Sequence, residues 1–462
     1  MNMAPQTNTI LHIGIGAFHR AHQADYLQDL HDMGNRDWQI VGGNIRPFDI
    51  DVVDTLIRNR GKYTLEIINE KGEHKYRTIN VINEVIPWQE DIADLVNVAC
   101  RRDVKIISFT VTEAGYYLDN EDALLTSNKD LNSDITAGTH LTLYGALAKM
   151  LSARKNELGK PLTLLCCDNL QANGHRFRNG FYAFLTATGN MELLDWVKAN
   201  TSTPNSMVDR ITPKPTLGTI ERIQSRLNIK DAAAIMSESF KQWVIEDDFI
   251  AGRPEWDEAG AELVADVEPY EKAKIRLLNA THSCVAWAGI LKGHTKINEA
   301  ITDPQIREFA YQYITDNAIP ALGKETPIDL EKYRDQVLAR FSNKYIPDTC
   351  SRVLTDSSVK LAGFILPTIR ESLNNCLNLD SLLRLPAFYL LFLIKHEKGE
   401  IDVAYSDQAL DKSLLKSLAE TDDPVKLFTA QSLFFEELAG STEIISAMRH
   451  VFDDCNSILN IG

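Results

Sequence analysis

Thr9-Ile-Leu-His-Ile-Gly-Ile-Gly-Ala-Phe-His-Arg-Ala-His22 is the stretch from which the fold is read. Thr9 to Ile13 is short and mostly apolar or β-branched, the pattern of a strand buried on both faces. Gly14-Ile-Gly16 follows, and a helical pattern then runs from about His19 to Met33. Strand, Gly-x-Gly turn and helix in that order form the phosphate-binding opening of a dinucleotide fold. Gly14 admits the tight turn, and Gly16 lets backbone approach a pyrophosphate at the helix N-terminus. Gly14, Ile15, Gly16, Ala17 and Phe18 are therefore candidate cofactor contacts. The third glycine of the full fingerprint is absent, His19 standing there. A plain glycine turn is the competing reading.

Outward from this turn, strand and helix signals alternate. Gln39 to Asn44 reads as the second strand, after which the fingerprint expects an acidic residue for the adenosine ribose. The chain has Asn44-Ile-Arg46-Pro47 instead, with Asp49 and Asp51 a little later. Arg46 would either accept a 2′-phosphate or lie flat on the adenine, and Asn44 joins it as a candidate. Tyr63 to Asn69 and Lys75 to Asn80 alternate in polarity and predict an inserted hairpin. Val104 to Val111 predicts a central strand, with Thr112 and Glu113 at its ligand-binding end. Glu113 reads equally well as a helix-start residue. Leu141 to Leu151 predicts a helix. Leu162 to Cys167 predicts another buried strand, ending at Asp168-Asn169 on the same ligand side. Thr201 to Pro213, with Pro204, Asn205, Ser206 and Pro213, reads as loop. Within it Asp209 and Arg210 either pair with each other or reach a substrate.

Beyond about residue 268 strand signals nearly vanish. Helical patterns cover 274–291, 304–317, 330–342, 359–372, 379–396 and 441–457. The expected fold class is α/β. A Rossmann-like, mostly parallel sheet domain at 1–268 is followed by a mainly α-helical C-terminal domain at 269–462. The first of these helices carries the chemistry. At about 100° per residue, with Lys274 at zero, Glu271 lies near ~60°, His282 near ~80° and Asn279 near ~140°. Arg276 points the other way. A lysine at an apolar cleft loses hydration, so its pKa falls and it can take a proton from an alcohol. An asparagine amide donates to an oxygen gaining charge. The competing reading is a solvated helix on which Glu271 pairs with a lysine.

The composition excludes several classes of partner. A net charge of −16 over 462 residues argues against nucleic acid and anionic membranes. No apolar run reaches the ~18 residues of a transmembrane helix, and the first nine residues lack the pattern of a secretion signal. The seven cysteines are scattered, without a Cys-x2-Cys pair, which suits reduced thiols in the cytoplasm. No obligate protein partner is evident. His12, His19 and His22 contain a His-x2-His spacing, but no carboxylate or cysteine cluster accompanies them, so no metal is expected. Tyr270-x3-Lys274 matches the acid–base pair of short-chain dehydrogenases. The chain is too long for that class and the pair lies too far from the glycine turn, so the match is a coincidence.

Lys274 with Asn279 and His282 resembles the Lys-x4-Asn-x2-His signature of the polyol-specific long-chain dehydrogenases, the mannitol dehydrogenase family. Leu11 to His22, Phe109-Thr-Val-Thr-Glu-Ala-Gly-Tyr116, Cys167-Asp-Asn169, Met207-Val-Asp-Arg-Ile-Thr-Pro213 and Arg352 follow the family's order across nearly the whole chain. The resemblance implies metal-independent oxidation of a secondary alcohol of an acyclic polyol to a ketose, and the reverse, with NAD; NADP is not excluded. D-Arabinitol to D-xylulose is the specific expectation, with mannitol or a hexuronate (fructuronate, tagaturonate) as the alternative substrate. It assigns Lys274 as general base, with Asn169 and Asn279 polarising the reacting oxygen. His282, Asp209, Arg352 and Lys360 hold the other hydroxyls, and Glu271 passes the proton towards solvent. By default Arg352 and Lys360 would be surface charges flanking a loop. A catalytically silent nucleotide-binding redox sensor is the alternative from another class. The joint presence of Lys274, Asn279 and His282 argues against it.

Overall fold

The computed structural model describes residues 7–119, 122–213, 215–323, 326–346 and 348–459; the first six residues, read above for a secretion signal, lie outside them. The chain forms two compact units. One is Met1–Asn69 with Glu73–Glu268, the other Glu70–Gly72 with Pro269–Gly462.

Among the described residues the strands of the first unit are β1 (Asn8–Ile13), β2 (Trp38–Gly43), β3 (Tyr63–Ile68), β4 (His74–Ile79), β5 (Ile82–Ile86), β6 (Val104–Phe109), β7 (Leu162–Cys166), β8 (Thr201–Ser202), β9 (Ser206–Asp209), β10 (Ile235–Glu238), β11 (Gln242–Glu246) and β12 (Glu262–Val264). Six of them form one sheet in the order β5-β2-β1-β6-β7-β8, parallel throughout. Its central strands are buried on both faces, including the polar Thr9, His12 and Thr163. That explains their near-continuous apolar runs. The predicted hairpin is β3–β4, antiparallel from Tyr63↔Ile79 to Ile68↔His74. β10 joins it in parallel on the other side of β3.

Two expectations are corrected here. The helix after the glycine turn is not continuous: Ala17–Ala21 (α1) ends at His22 (φ −123°, ψ −83°), and Gln23–Asp32 (α2) resumes. His22 is drawn off helical geometry by tertiary partners. Its Nε2 lies 2.9 Å from the Gln242 carbonyl, and its ring packs edge-on to Trp243. The segment read as loop at 201–213 contains β8 and β9. β9 is fully buried and pairs antiparallel with β11. Turn-forming Pro204 and Asn205 hide it from sequence. Asn205 is itself a tether, its backbone and side-chain N–H groups each donating to the Glu246 carboxylate at 2.9 Å. Arg210 donates to Asp25 Oδ2 at 2.7 Å, and Arg77 donates to the other oxygen of the same buried carboxylate.

The second unit has no strand among its described residues, only an isolated bridge between Lys296 and Thr349. Asp380–Glu397 is its central helix, buried from Leu385 through Leu393. It packs on Ala280–Leu291 and Thr442–Leu459. Trp287 stacks on Tyr389 with ring centroids 5.1 Å apart and donates to Ser357 Oγ at 2.9 Å. Three predicted helices are broken by π-helical turns, at Lys274–Asn279, Tyr313–Ala318 and Leu361–Ile365. The first turn packs against the other two. A π turn inserts residues without changing composition, so hydrophobic periodicity does not reveal it.

Candidate active site

The turn after β1 is built from behind by buried polar groups. His12 Nδ1 lies 2.8 Å from Ser108 Oγ, and its Nε2 lies 3.1 Å from both the Gly14 carbonyl and Thr110 Oγ1. Thr110 Oγ1 donates to the same carbonyl at 2.8 Å. His19 stacks on His12 with centroids 3.5 Å apart. Burial pushes His12 and His22 down to about 3 and holds His19 well below its ordinary value. All three are neutral struts. Among the described residues no group of three or more His, Cys, Asp or Glu is placed to hold a metal ion.

Gly14 and Gly16 serve different ends. Gly14 has φ +96°, and a Cβ there would stand 2.2 Å from the Thr110 carbonyl oxygen. A Cβ on Gly16 would meet only the Gly14 oxygen, at 4.0 Å. The first glycine is required by the chain's own backbone. Around the second the protein leaves a space that a side chain would fill, which fits close approach of a dinucleotide phosphate. Ile15, Ala17 and Phe18 flank it. The Ile15 N–H donates to Asn44 Oδ1 at 3.1 Å, so Asn44 ties the end of β2 to the turn. Gly42 makes room: a Cβ there would lie 2.4 Å from the Ile15 side chain.

The Arg46 guanidinium has three partners along its edge. Nε donates to the Leu141 carbonyl at 3.0 Å, and Nη2 to Tyr117 Oη at 2.8 Å and Asp130 Oδ2 at 2.7 Å.

At the end of β6, exposed Thr112 takes φ 66° and ψ 165°, a conformation rare for a β-branched residue, and Glu113 opens a 3-10 turn. The strain is held by Asp168, which sequence reasoning passed over for its neighbour Asn169. The Asp168 carboxylate accepts from Val111 N at 3.0 Å, Thr112 N at 2.9 Å and Tyr116 Oη at 2.8 Å. Burial raises this carboxyl above the usual range, and the three donors oppose the rise. Asn169 itself is exposed at the C-terminal end of β7. Asn173, also missed, links this end to β9 by donating to the Asp168 carbonyl at 3.0 Å and the Ser206 carbonyl at 2.7 Å. Asp209 ends β9 and is buried.

In the second unit the structure removes the solvated-helix reading. Glu271 is 5% exposed and Lys274 6%. The regular arc computed from about 100° per residue also fails, since Lys274 to Asn279 is one π turn. In an α-helix residues five apart diverge by about 140°. A π turn closes i→i+5 hydrogen bonds and brings such residues towards one face. The spacing of Lys274 and Asn279 therefore matches the turn that holds them. Its Arg276 carbonyl accepts from the buried Tyr313 hydroxyl at 3.0 Å, and the Arg276 side chain forks onto Glu371.

His282 follows on Ala280–Leu291, stacked on Phe341 with centroids 4.7 Å apart. Its Nε2 is 3.1 Å from Asp348 Oδ2, an ion-pair distance, though the alignment falls short of a hydrogen bond. Asp348 was not foreseen. Its one sequence signal is Arg352 four residues on, which donates from Nε at 2.7 Å and Nη2 at 2.8 Å. Burial would raise the Asp348 carboxyl, but His282 and Arg352 hold it well below the usual range. Burial lowers His282, opposed by Asp348 and aided by the charges of Arg352 and Lys360. Arg352 and Lys360 are on short helices, Cys350–Leu354 and Ser357–Lys360, not on a loop. Lys360 Nζ donates to the Val353 and Thr355 carbonyls, both at 2.7 Å.

The two units match different parts of one family. Residues 8–258 match the mannitol dehydrogenase Rossmann domain and residues 266–455 the mannitol dehydrogenase C-terminal domain. The chain is 47% identical to a D-arabinitol 4-dehydrogenase of Ralstonia nicotianae, covering 95% of each sequence. It is 42% identical to one of Klebsiella pneumoniae, covering 98% of this chain and 99% of that protein. A Pseudomonas fluorescens mannitol 2-dehydrogenase, solved as a ternary complex with NAD and D-mannitol, superposes with a TM-score of 0.83 at 30% identity, covering 98% of this chain and 94% of that one. A substrate-free D-sorbitol dehydrogenase superposes at 0.89 with 28% identity and the same coverage. Among the described residues no helix is long and apolar enough to cross a membrane. With both halves of the fold matched over nearly their whole length, the chain belongs to the mannitol dehydrogenase family of polyol dehydrogenases.

Proposed function

We propose that this protein oxidises a secondary alcohol of an acyclic polyol to the ketose, and reverses the reaction, using NAD, with D-arabinitol to D-xylulose as the physiological pair. One observation carries the proposal: a buried lysine and an asparagine share the π turn Lys274–Asn279. Burial strips the Lys274 ammonium of hydration. A buried ammonium sheds its proton more easily than a hydrated one, so Lys274 takes the hydroxyl proton in oxidation and returns it in reduction. Asn279 donates its amide N–H to the reacting oxygen as charge builds on it. Glu271, one turn earlier and also buried, passes the proton on. His282, Arg352 and Lys360 orient the remaining hydroxyls. Asn169 and Asp209 keep the roles that the family resemblance assigns them.

The Gly14–Gly16 turn, Ile15, Ala17, Phe18 and Asn44 hold the dinucleotide, with Thr112 and Glu113 at the next strand end. When bound, the nicotinamide supplies hydride transfer, leaving position and electrostatics to the protein. The two D-arabinitol 4-dehydrogenases, at 47% and 42% identity, support the substrate over mannitol, whose dehydrogenases match at about a third. The test is NADH absorbance with D-arabinitol, D-mannitol, D-sorbitol and hexuronates. D-Arabinitol should give the highest kcat/KM. A hexuronate in first place sinks the polyol reading, and turnover of none of them sinks the enzyme reading.

A further inference from the structure

We infer that Asp130 sets the choice of dinucleotide, by holding Arg46 in an ion pair so that it does not receive the 2′-phosphate of NADP. The inference rests on the nucleotide-binding reading above. Arg46 stands three residues beyond β2, where such folds read the adenosine ribose, and an arginine there ordinarily accommodates a 2′-phosphate. Here the acid that the fingerprint places on the second strand comes from 84 residues further along the chain. Asp130 is in the first turn of Lys129–Ala137, a helix whose N-cap Asn128 accepts from Asp130 N and Leu131 N. The carboxylate is thus set by a capped helix end.

Arg46 is held on two further sides. Tyr117 accepts from the same Nη2, and the Leu141 carbonyl accepts from Nε. Tyr117 takes a left-handed backbone conformation (φ 49°) to present its hydroxyl. The ion pair is open to solvent, its side chains 48% and 43% exposed. An exposed pair contributes little to folding, so stability does not explain a three-sided clamp. Discrimination does. The clamp cancels the arginine's charge, and its carboxylate repels a phosphate while accepting from a ribose hydroxyl.

The test reads dinucleotide affinity without substrate, by the fluorescence of NADH and NADPH titrated with the whole protein. Asp130→Asn should shift the NADPH-to-NADH affinity ratio towards NADPH by tenfold or more. Asp130→Glu, which keeps the charge, should stay near the wild-type ratio. Adding Arg46→Ala to Asp130→Asn should abolish the shift, because the freed guanidinium is what takes the phosphate. An unmoved ratio in Asp130→Asn, or a shift that survives Arg46→Ala, overturns the inference. If Asp130→Asn does not fold, Arg46→Ala alone decides. It should leave the ratio unchanged, since the wild-type arginine is already occupied, and a selective loss of NADPH overturns the clamp. Failure of the wild type to bind either dinucleotide overturns the nucleotide reading and the inference together. Turnover of a different polyol touches neither.

Discussion

Lys274 is where a single side chain decides most. At 6% exposure it is not a solvated lysine, so truncating it removes either a base or a buried structural group. The two are separable. Lys274→Ala should lower kcat by at least ~100-fold, the lower range for losing a general acid or base, while NADH affinity barely moves. A small primary amine in the buffer should restore part of the rate. A variant that keeps most of its kcat ends the claim for Lys274. The glycines give a second contrast. Gly14→Ala forces a Cβ to 2.2 Å from a backbone oxygen, whereas Gly16→Ala meets nothing within 3.9 Å. Gly14→Ala should lower the melting temperature by several degrees. Gly16→Ala should melt like the wild type and lose NADH affinity about tenfold or more. Equal melting losses in both would show that the turn's second glycine serves the fold alone.

Among elements, the π turn Lys274–Asn279 deserves a direct probe. Its geometry is braced by the Tyr313 hydroxyl on the Arg276 carbonyl. Tyr313 opens the neighbouring π turn. Tyr313→Phe deletes that donor from a dry site. It should cost about 1–3 kcal/mol, the range for a buried acceptor left unsatisfied, read from urea unfolding. It should also lower kcat about tenfold without changing NADH affinity, since the turn carries Lys274 and Asn279, whereas the residues read as dinucleotide contacts belong to the first unit. A stability loss with unchanged kcat would mean that the turn keeps its shape without Tyr313.

Over the whole molecule, acid sensitivity separates two opposing electrostatic effects. The net charge is −16, so lowering the pH from neutrality relieves self-repulsion and by itself stabilises the fold. Three buried histidines and the half-buried His282 act the other way. His12, His19, His22 and His282 all have folded pKa values below the ordinary 6.5. Below about pH 6.5 the unfolded chain therefore binds protons that the fold refuses, and stability falls with pH, by on the order of 1 kcal/mol per pH unit for each histidine. The carboxylates held low, Asp25 and Asp348, contribute stability that is lost only below the unfolded carboxylate range near ~4. The melting temperature should consequently drop between pH 6.5 and 4.5. A rise over that interval would show that these histidines titrate freely in the fold.

Legibility from sequence followed the range of the interactions involved. Parallel strands are buried on both faces, so β1, β6 and β7 are near-continuous apolar runs, visible without a structure. The Gly-x-Gly turn, the hairpin and the change to helices near residue 268 are likewise local patterns. Lys274, Asn279 and His282 were singled out by their likeness to a family signature, and Gly14 and Gly16 by their place after the first strand. Other features depend on partners distant in sequence. β9 is a strand because β11 pairs with it. His22 interrupts a helix because the Gln242 carbonyl and Trp243 engage its ring. Asp130 reaches Arg46, and Asp348 reaches His282, across intervals that carry no periodicity. The π turn is the sharpest case. Sequence by itself determined which groups stand on the helix, since composition and order suffice for that. Only the tertiary structure decided that Lys274 is buried and that it shares a π turn with the half-buried Asn279, because an i→i+5 turn is held by packing and by Tyr313 from another element, not by the propensities of its own residues.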